Sequence, residues 1–335
     1  MDDWRSAAQN GPAVLVTVAT VEGSGPREPG AKMLVAAAQL FDTIGGGHLE
    51  MRAVDIARAM LADGRLRHIE RFALGPSLGQ CCGGVVHLAF ERLDPAQASL
   101  LAGRRTEDSW RMVALDGAAD AALFDGAGAL LWGAACPHFA RERGTHVMQE
   151  QDGRRWLVDR LQAPRAHLLL FGAGHVGQAI VRALAHLPCT VTWVDERDDM
   201  FPSAVPANVT VEATDMPEAL VVAAPSGATY LVMTHSHALD QRLSEAIMAR
   251  QDVLWFGLIG SLTKRRQFEH RLRARGVDGS RIAAMVCPIG LPGITNKAPA
   301  VIAASVCAQL LTVWEEAAHS SAGAPPLRLV ASSQT

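Results

Sequence analysis

The segment HLLLFGAGHVGQAI, residues 167–180, constrains this chain more than any other stretch. Gly172, Gly174 and Gly177 stand in G-x-G-x-x-G spacing directly after an apolar run and at the opening of a helical pattern. Such a turn lets backbone approach a phosphate, while the free amides and macrodipole of a helix starting near His175 attract its charge. The next apolar run, CTVTWVD, ends at Asp195, 21 positions after Gly174, close to the offset at which an acid meets a ribose hydroxyl in dinucleotide-binding folds. The glycines also serve tight strand–helix packing, so the motif predicts the fold and leaves the ligand open.

The rhythm around the motif agrees. From Ala166 onward, apolar runs of strand length (167–171, 190–194, 209–211, 229–233, 253–257 and 284–287) alternate with periodic segments (176–186, 216–223, 238–250, 262–275 and 299–317). That alternation predicts a parallel sheet with crossover helices. Upstream, 13–21, 31–37 and 84–90 read as strands around a helix over 48–61, and 108–160 reads as short strands broken by Asp-Gly and Gly turns. The expected fold class is α/β: a C-terminal Rossmann-like parallel-sheet domain plus a smaller mixed α/β N-terminal domain. The expected boundaries are 1–105 for the N-terminal domain, 106–163 for a short-strand connecting region, 164–318 for the Rossmann-like domain and 319–335 for a mobile, Pro-containing tail.

Charge narrows the partners. Thirty-one basic residues against 34 acidic ones leave a net charge of −3, so no overall field draws the chain to nucleic acid or an acidic membrane, and any anion must be held locally. The six cysteines, at 81, 82, 136, 189, 287 and 307, follow neither a metal-finger spacing nor a secreted disulfide framework, which predicts reduced thiols in cytoplasm. The acidic start MDDWRSAAQN is not that of an export signal. The longest uncharged run, between Lys297 and Glu315, contains Pro299, Ser305, Gln309 and Thr312. It falls short of the ~20 apolar residues of a membrane span and is expected to be a buried helix.

Candidate site residues cluster where such a sheet presents ligand groups, at the carboxyl ends of strands. Thr234, His235, Ser236, His237 and Asp240 follow one apolar run, and Ser261 with Lys264, Arg265 and Arg266 follows the next. Two histidines and an aspartate are metal-ligand types, although His235 and His237 at i, i+2 need not converge. The basic run is of the type that grips phosphate or simply meets solvent. Cys287, Gly290, Gly293 and Lys297 lie in an irregular stretch before the last helix. In the N-terminal half, Gly45, Gly46 and Gly47 precede His48 and Glu50 as an anion cradle or a tight turn, with Arg27 and Lys32 as further charge. The vicinal Cys81 and Cys82 sit among Gly79, Gly83 and Gly84. Adjacent side chains point different ways, so the pair suits either thiolate chemistry toward a soft metal or sulfur, or partly buried inert thiols. No nucleophile with its base and no paired carboxylates stand out in a sequence-defined site.

Taken together, EGSGPREPGAKM, IGGGHLE, LGPSLGQCCGG, FGAGHVGQA, WVDERDDMFP, VMTHSHALD, FGLIGSLTKRRQF and CPIGLPGITNKAPAVIA, running from residue 22 to 303, resemble the xanthine dehydrogenase accessory protein family of the XdhC/CoxI type. The resemblance implies a cofactor-binding and insertion factor whose cargo is the molybdenum cofactor, Mo-molybdopterin, held between the two domains. It implies protection of that cargo, sulfuration by a partner cysteine desulfurase, and delivery to apo-xanthine dehydrogenase or a related molybdenum hydroxylase. The cofactor-binding set expected on this reading is Gly45, Gly46, Gly47, Cys81, Cys82, Gly172, Gly174, His175, Gly177, Asp195, His235, His237, Asp240, Lys264 and Lys297, with Cys81 and Cys82 as the molybdenum or sulfur contacts. The alternatives are an NAD(P)-dependent oxidoreductase built on the glycine loop and Asp195, and a redox or metal module built on Cys81, Cys82, His235 and His237. A homodimer is expected only from how commonly soluble proteins form two-fold pairs.

Overall fold

The computed structural model describes residues 4–74, 83–134 and 136–321. The chain divides into two compact units, Met1–Ala163 and Pro164–Thr335.

The first unit is built on two antiparallel sheets. One has the order β3-β2-β1-β5-β4 and comprises β1 (Ala13–Glu22), β2 (Lys32–Ala36), β3 (Leu40–Asp42), β4 (Arg67–Ala73) and β5 (Val85–Arg92). The other has the order β8-β7-β6-β10-β9 and comprises β6 (Ser109–Ala114), β7 (Ala121–Asp125), β8 (Leu130–Gly133), β9 (His146–Gln149) and β10 (Arg155–Leu161). The period-2 alternation of β1 explains the layering. Val14, Val16 and Val18 face Leu49, Ala53, Ala57 and Met60 of helix α2 (Gly47–Asp63). Leu15 and Ala19 turn the other way, into clusters that contain Leu123, Val113, Leu157 and Leu161 of the second sheet. The short α1 (Trp4–Ala7) and α3 (Pro95–Gly103) contribute to the same inner layer. β4, with the charged sequence RHIERFA, and α3 gave no periodic sequence signal. β4 forms because each of its residues pairs with β5, and α3 because Asp94 caps the amides of Ala96 and Gln97 ahead of Pro95.

Charge is buried in this layer as well. Lys32 Nζ lies 2.7 Å from Asp159 Oδ1, Arg111 contacts both Asp159 and Glu91, and Arg67 Nη2 lies 3.2 Å from Glu91 Oε1. Arg111 stands opposite Asp159 in the β6–β10 register, and Arg67 opposite Glu91 in β4–β5, so the ladders place the partners. Lys32, Arg111, Asp159 and Glu91 are all buried. Desolvation outweighs these contacts for the guanidinium of Arg111, lowering its pKa to about 10 and leaving it charged at neutral pH.

The second unit carries a parallel sheet of order β13-β12-β11-β14-β15: β11 (Ala166–Phe171), β12 (Cys189–Asp195), β13 (Val209–Ala213), β14 (Thr229–Val232) and β15 (Trp255–Leu258). The strands are apolar on both faces because helices cover both. On one face Leu168, Leu170, Val191 and Trp193 meet Ile180 and Leu184 of α4 (His175–Leu184) and Val306 and Leu310 of α9 (Pro299–Ser321). On the other, Leu169, Phe171, Tyr230 and Val232 meet Val221 of α5 (Pro217–Ala223), Leu243 and Ile247 of α6 (His237–Ala249) and Phe268 and Leu272 of α7 (Leu262–Ala274). The stretch expected as a strand over 284–287 contributes only a single bridge, Val286 to Gly257, because α8 (Gly279–Ala284) occupies the residues just before it. Among the described residues, α9 alone is long and apolar enough to cross a membrane. Its buried Ala303, Val306, Leu310 and Trp314 give it the packing of a core helix.

Candidate functional site

In the second unit the strand order reverses beside β11, and the crevice outside the carboxyl ends of β11 and β14 is where such sheets receive ligands. The loops that meet there are Gly172–Gly174 and Thr234–Ser236, both singled out in the sequence. The three glycines have separable roles. Gly172 has φ +122°, and a Cβ on it would lie 2.4 Å from the Met233 carbonyl oxygen. A Cβ on Gly177 would lie 2.1 Å from the Gly172 carbonyl oxygen, so this glycine sets the contact between helix and loop. Gly174, by contrast, faces open space and begins α4 without a side-chain cap. The first turn of α4 therefore offers its amides to an incoming anion.

Asp195 is placed differently from a ribose-binding acid. Its side chain is almost wholly buried. Its Oδ2 accepts the Ala173 amide at 2.7 Å and Arg197 Nη2 at 3.1 Å, while Oδ1 accepts the Arg197 amide at 3.1 Å and Nε at 2.9 Å. Burial alone would raise its pKa; the bonds from Arg197 and Ala173 outweigh burial and hold it below the ordinary carboxylate value. The adjoining cleft, lined by Phe171, Asp195, Thr234 and His235 among others, encloses only about 10 Å³. That is on the order of one water, far below the roughly 300 Å³ at which small-molecule pockets begin.

Asp240 and Lys264 form a clasp rather than a ligand set. Lys264 Nζ donates to Asp240 Oδ2 at 2.6 Å and to the Ile259 carbonyl at 2.8 Å, while Asp240 Oδ1 accepts the Thr234 hydroxyl at 2.7 Å. This ties the loop after β14 to the loop after β15. Ser236 and Ser261 cap α6 and α7 through the amides of Leu239 and Lys264. His175, His235, His237 and Lys297 are exposed. Asp240 is thus committed to Lys264, and among the described residues no group of three His, Cys, Asp or Glu side chains is arranged to hold a metal ion.

In the first unit, Gly45, Gly46 and Gly47 all have positive φ and turn the chain into α2. A Cβ on Gly45 would sit 2.5 Å from Pro26, so this loop lies against the Pro26–Arg27 segment. The Glu50 carboxylate already holds part of the turn: its Oε2 accepts the amides of Gly46 at 3.0 Å and Ile44 at 3.3 Å. The glycine loops at 45–47 and 172–174 are therefore each engaged by a carboxylate of the protein. Sequence reasoning missed Glu50 and Arg197 in these roles; Glu50 three positions after Gly47 and Arg197 two after Asp195 were the available signals. Cys81 and Cys82 lie outside the described residues.

The strand order and glycine loop define a Rossmann-type α/β unit joined to a unit of antiparallel sheets. Comparison with known proteins is more specific: residues 6–73 match the XdhC and CoxI family, and residues 168–310 match the XdhC Rossmann domain. The chain contains both domains, in that order. It is 30% identical over 154 residues to the uncharacterized protein YqeB of Escherichia coli (strain K12), a match covering 46% of this chain and 28% of the relative. The match thus covers under a third of that protein's length. A crystal structure described as a xanthine dehydrogenase from Bacillus halodurans is similar over 94% of this chain and 96% of that one, with a TM-score of 0.70 and 18% identity. At that identity the likeness shows a shared fold.

Proposed function

We propose that this protein is an accessory factor rather than a catalyst: it binds the molybdenum cofactor as cargo, protects it, supports its sulfuration by a cysteine desulfurase, and delivers it to xanthine dehydrogenase or a related molybdenum hydroxylase. The observation that carries this reading is the pairing of an XdhC and CoxI segment with an XdhC Rossmann domain on one chain. The Bacillus halodurans structure shares this fold across nearly the whole chain. On this reading the uncapped start of α4 at Gly174 and His175 receives an anionic end of the cargo, exposed His235, His237 and Lys297 border it, and Gly172, Gly177, Asp195, Asp240 and Lys264 hold the loops in shape. In the first unit Gly45, Gly46 and Gly47 shape the turn into α2, and Cys81 and Cys82 are the proposed thiolate contacts.

The NAD(P)-dependent reading draws less support. An acid that binds a ribose needs acceptor capacity to spare, and Asp195 spends its own on Ala173 and Arg197. The test is retention. Protein mixed anaerobically with cofactor released from a molybdenum hydroxylase should carry molybdenum and pterin fluorescence together through gel filtration. The Cys81→Ala/Cys82→Ala variant should retain less. Failure of the wild-type chain to retain either component would overturn the proposal, and equal retention by the variant would remove the two thiols from it.

A further inference from the structure

The first unit contains a cavity of about 480 Å³ that the glycine-loop reading does not use. Its lining includes Arg5, Arg27, Lys32 and Arg160 against two acids, Glu28 and Asp42. Asp42 accepts the Trp4 amide at 3.0 Å, and Glu28, 72% exposed, lies 3.5 Å from Arg27 in a loose surface pair that an incoming anion displaces. Arg160 has no carboxylate partner among the described residues and lies over the Trp110 ring at 5.6 Å. Lys32 is buried and joins the cavity to the ionic layer between the sheets, donating to Asp159 at 2.7 Å and to the Gly30 carbonyl at 2.8 Å.

That layer is unbalanced. Its contacts join Lys32, Arg111 and Arg67 to only two carboxylates, Asp159 and Glu91. The Nε atoms of Arg67 and Arg111 are buried without a hydrogen-bond partner, as are Glu91 Oε1 and Asp159 Oδ2, so the layer's polar atoms are not fully satisfied on either side. Arg5 donates to the Arg104 and Arg105 carbonyls and can be left out of the account. Without it, wall and layer together still hold more cations than carboxylates. Burial is the largest influence on Lys32 and lowers its pKa, and an anion at the open end of the layer favours its charged form.

We infer that this cavity binds a small molecule through a phosphate monoester, held by the guanidinium groups of Arg27 and Arg160 above Lys32. Guanidinium forks match phosphate oxygens bidentately, and the cavity has the volume of a ligand pocket, larger than a bare phosphate needs. The inference goes beyond the cargo reading and stands on the first unit alone.

The full chain is tested with inorganic phosphate and with phenyl phosphate, at ionic strength held constant with chloride, by thermal denaturation and titration calorimetry. Both anions should raise the melting temperature saturably, and phenyl phosphate should bind more tightly than inorganic phosphate. Arg27→Gln/Arg160→Gln, judged folded by circular dichroism, should weaken binding by roughly tenfold for each guanidinium lost, the equivalent of about 1.4 kcal/mol apiece. Arg58→Gln/Arg182→Gln removes the same charge from exposed helix positions and should keep the full response. No response in the wild-type chain, or an equal one in the Arg27/Arg160 variant, overturns the inference. So does phenyl phosphate binding no better than inorganic phosphate. None of these outcomes bears on cofactor retention, which is measured separately.

Discussion

The carboxylate of Asp195 sits on the backbone amide of Ala173 at 2.7 Å, closing the glycine loop of the second unit onto an acid of its own sheet. Arg197 closes the same carboxylate from the other side with three bonds. The position reserved for a ribose contact in dinucleotide folds here fixes the loop that starts α4, which turns a recognition residue into a positioning one.

Asp195→Asn should therefore cost stability: about 1.5–3 kcal/mol at pH 7, the usual range for hydrogen bonds to a buried charged group. The pH dependence has a definite sign. The folded pKa of Asp195 is depressed relative to an unfolded value near 3.9, so the folded state binds fewer protons in that range. Its contribution is complete above about pH 5 and is lost as pH falls through the folded pKa. Urea titrations of wild type and variant should show a gap that is constant from pH 5 to 7 and narrows below pH 4. A gap unchanged down to pH 3 would refute the assignment.

The glycines of the same loop should separate stability from binding. Gly177→Ala drives a Cβ to 2.1 Å from the Gly172 carbonyl oxygen, a backbone atom that cannot rotate away, and should cost about 3 kcal/mol or more. Gly174→Ala meets nothing within 4 Å and sits at φ −70°, so stability should change by less than about 1 kcal/mol, while ligand approach to α4 is obstructed. Melting temperatures and cofactor retention of the two variants decide the matter. Equal destabilisation by both would show that the loop tolerates neither, whatever its ligand.

The contrast between those two glycines marks how far the sequence could be read. The Rossmann-like sheet was legible because five apolar runs and a glycine motif repeat one local pattern, and local patterns survive without tertiary knowledge. The antiparallel sheets were partly legible: β1 and β5 alternate cleanly, but β4 reads as a polar stretch whose strand character comes from pairing with β5. The ionic layer was not legible, because Lys32 and Asp159 are 127 positions apart in the chain and each alone resembles a surface charge. One signal was present. Arg111 and Asp159 interrupt otherwise apolar strands at the parity of Val113 and Leu157, which face inward, and a charge at an inward position implies a buried partner.

The thiol chemistry proposed for Cys81 and Cys82 requires that the other cysteines not compete for metal or sulfur, and the structure gives a physical reason why they do not. Burial is the largest influence on each described thiol, raising Cys136 and Cys307 to about 11 and Cys189 to about 12. For Cys287, burial outweighs the opposing charges of Lys264 and Arg265, and its pKa is raised as well. Thiolate is the reactive form of cysteine, so at pH 7.5 Cys136, Cys189 and Cys307 should alkylate about two orders of magnitude or more slower than a free cysteine of pKa near 8.5, and Cys287 should also alkylate more slowly than a free cysteine. Brief iodoacetamide treatment of the native chain, followed by peptide mass spectrometry, should leave positions 136, 189, 287 and 307 unmodified, with any fast labelling confined to 81 and 82. Urea before alkylation should expose all six equally, because unfolding removes the burial that raised the four. Fast native labelling at Cys287, whose thiol feels the charges of Asp240 and Lys264, would instead make it a competing sulfur ligand and undercut the role given to the vicinal pair.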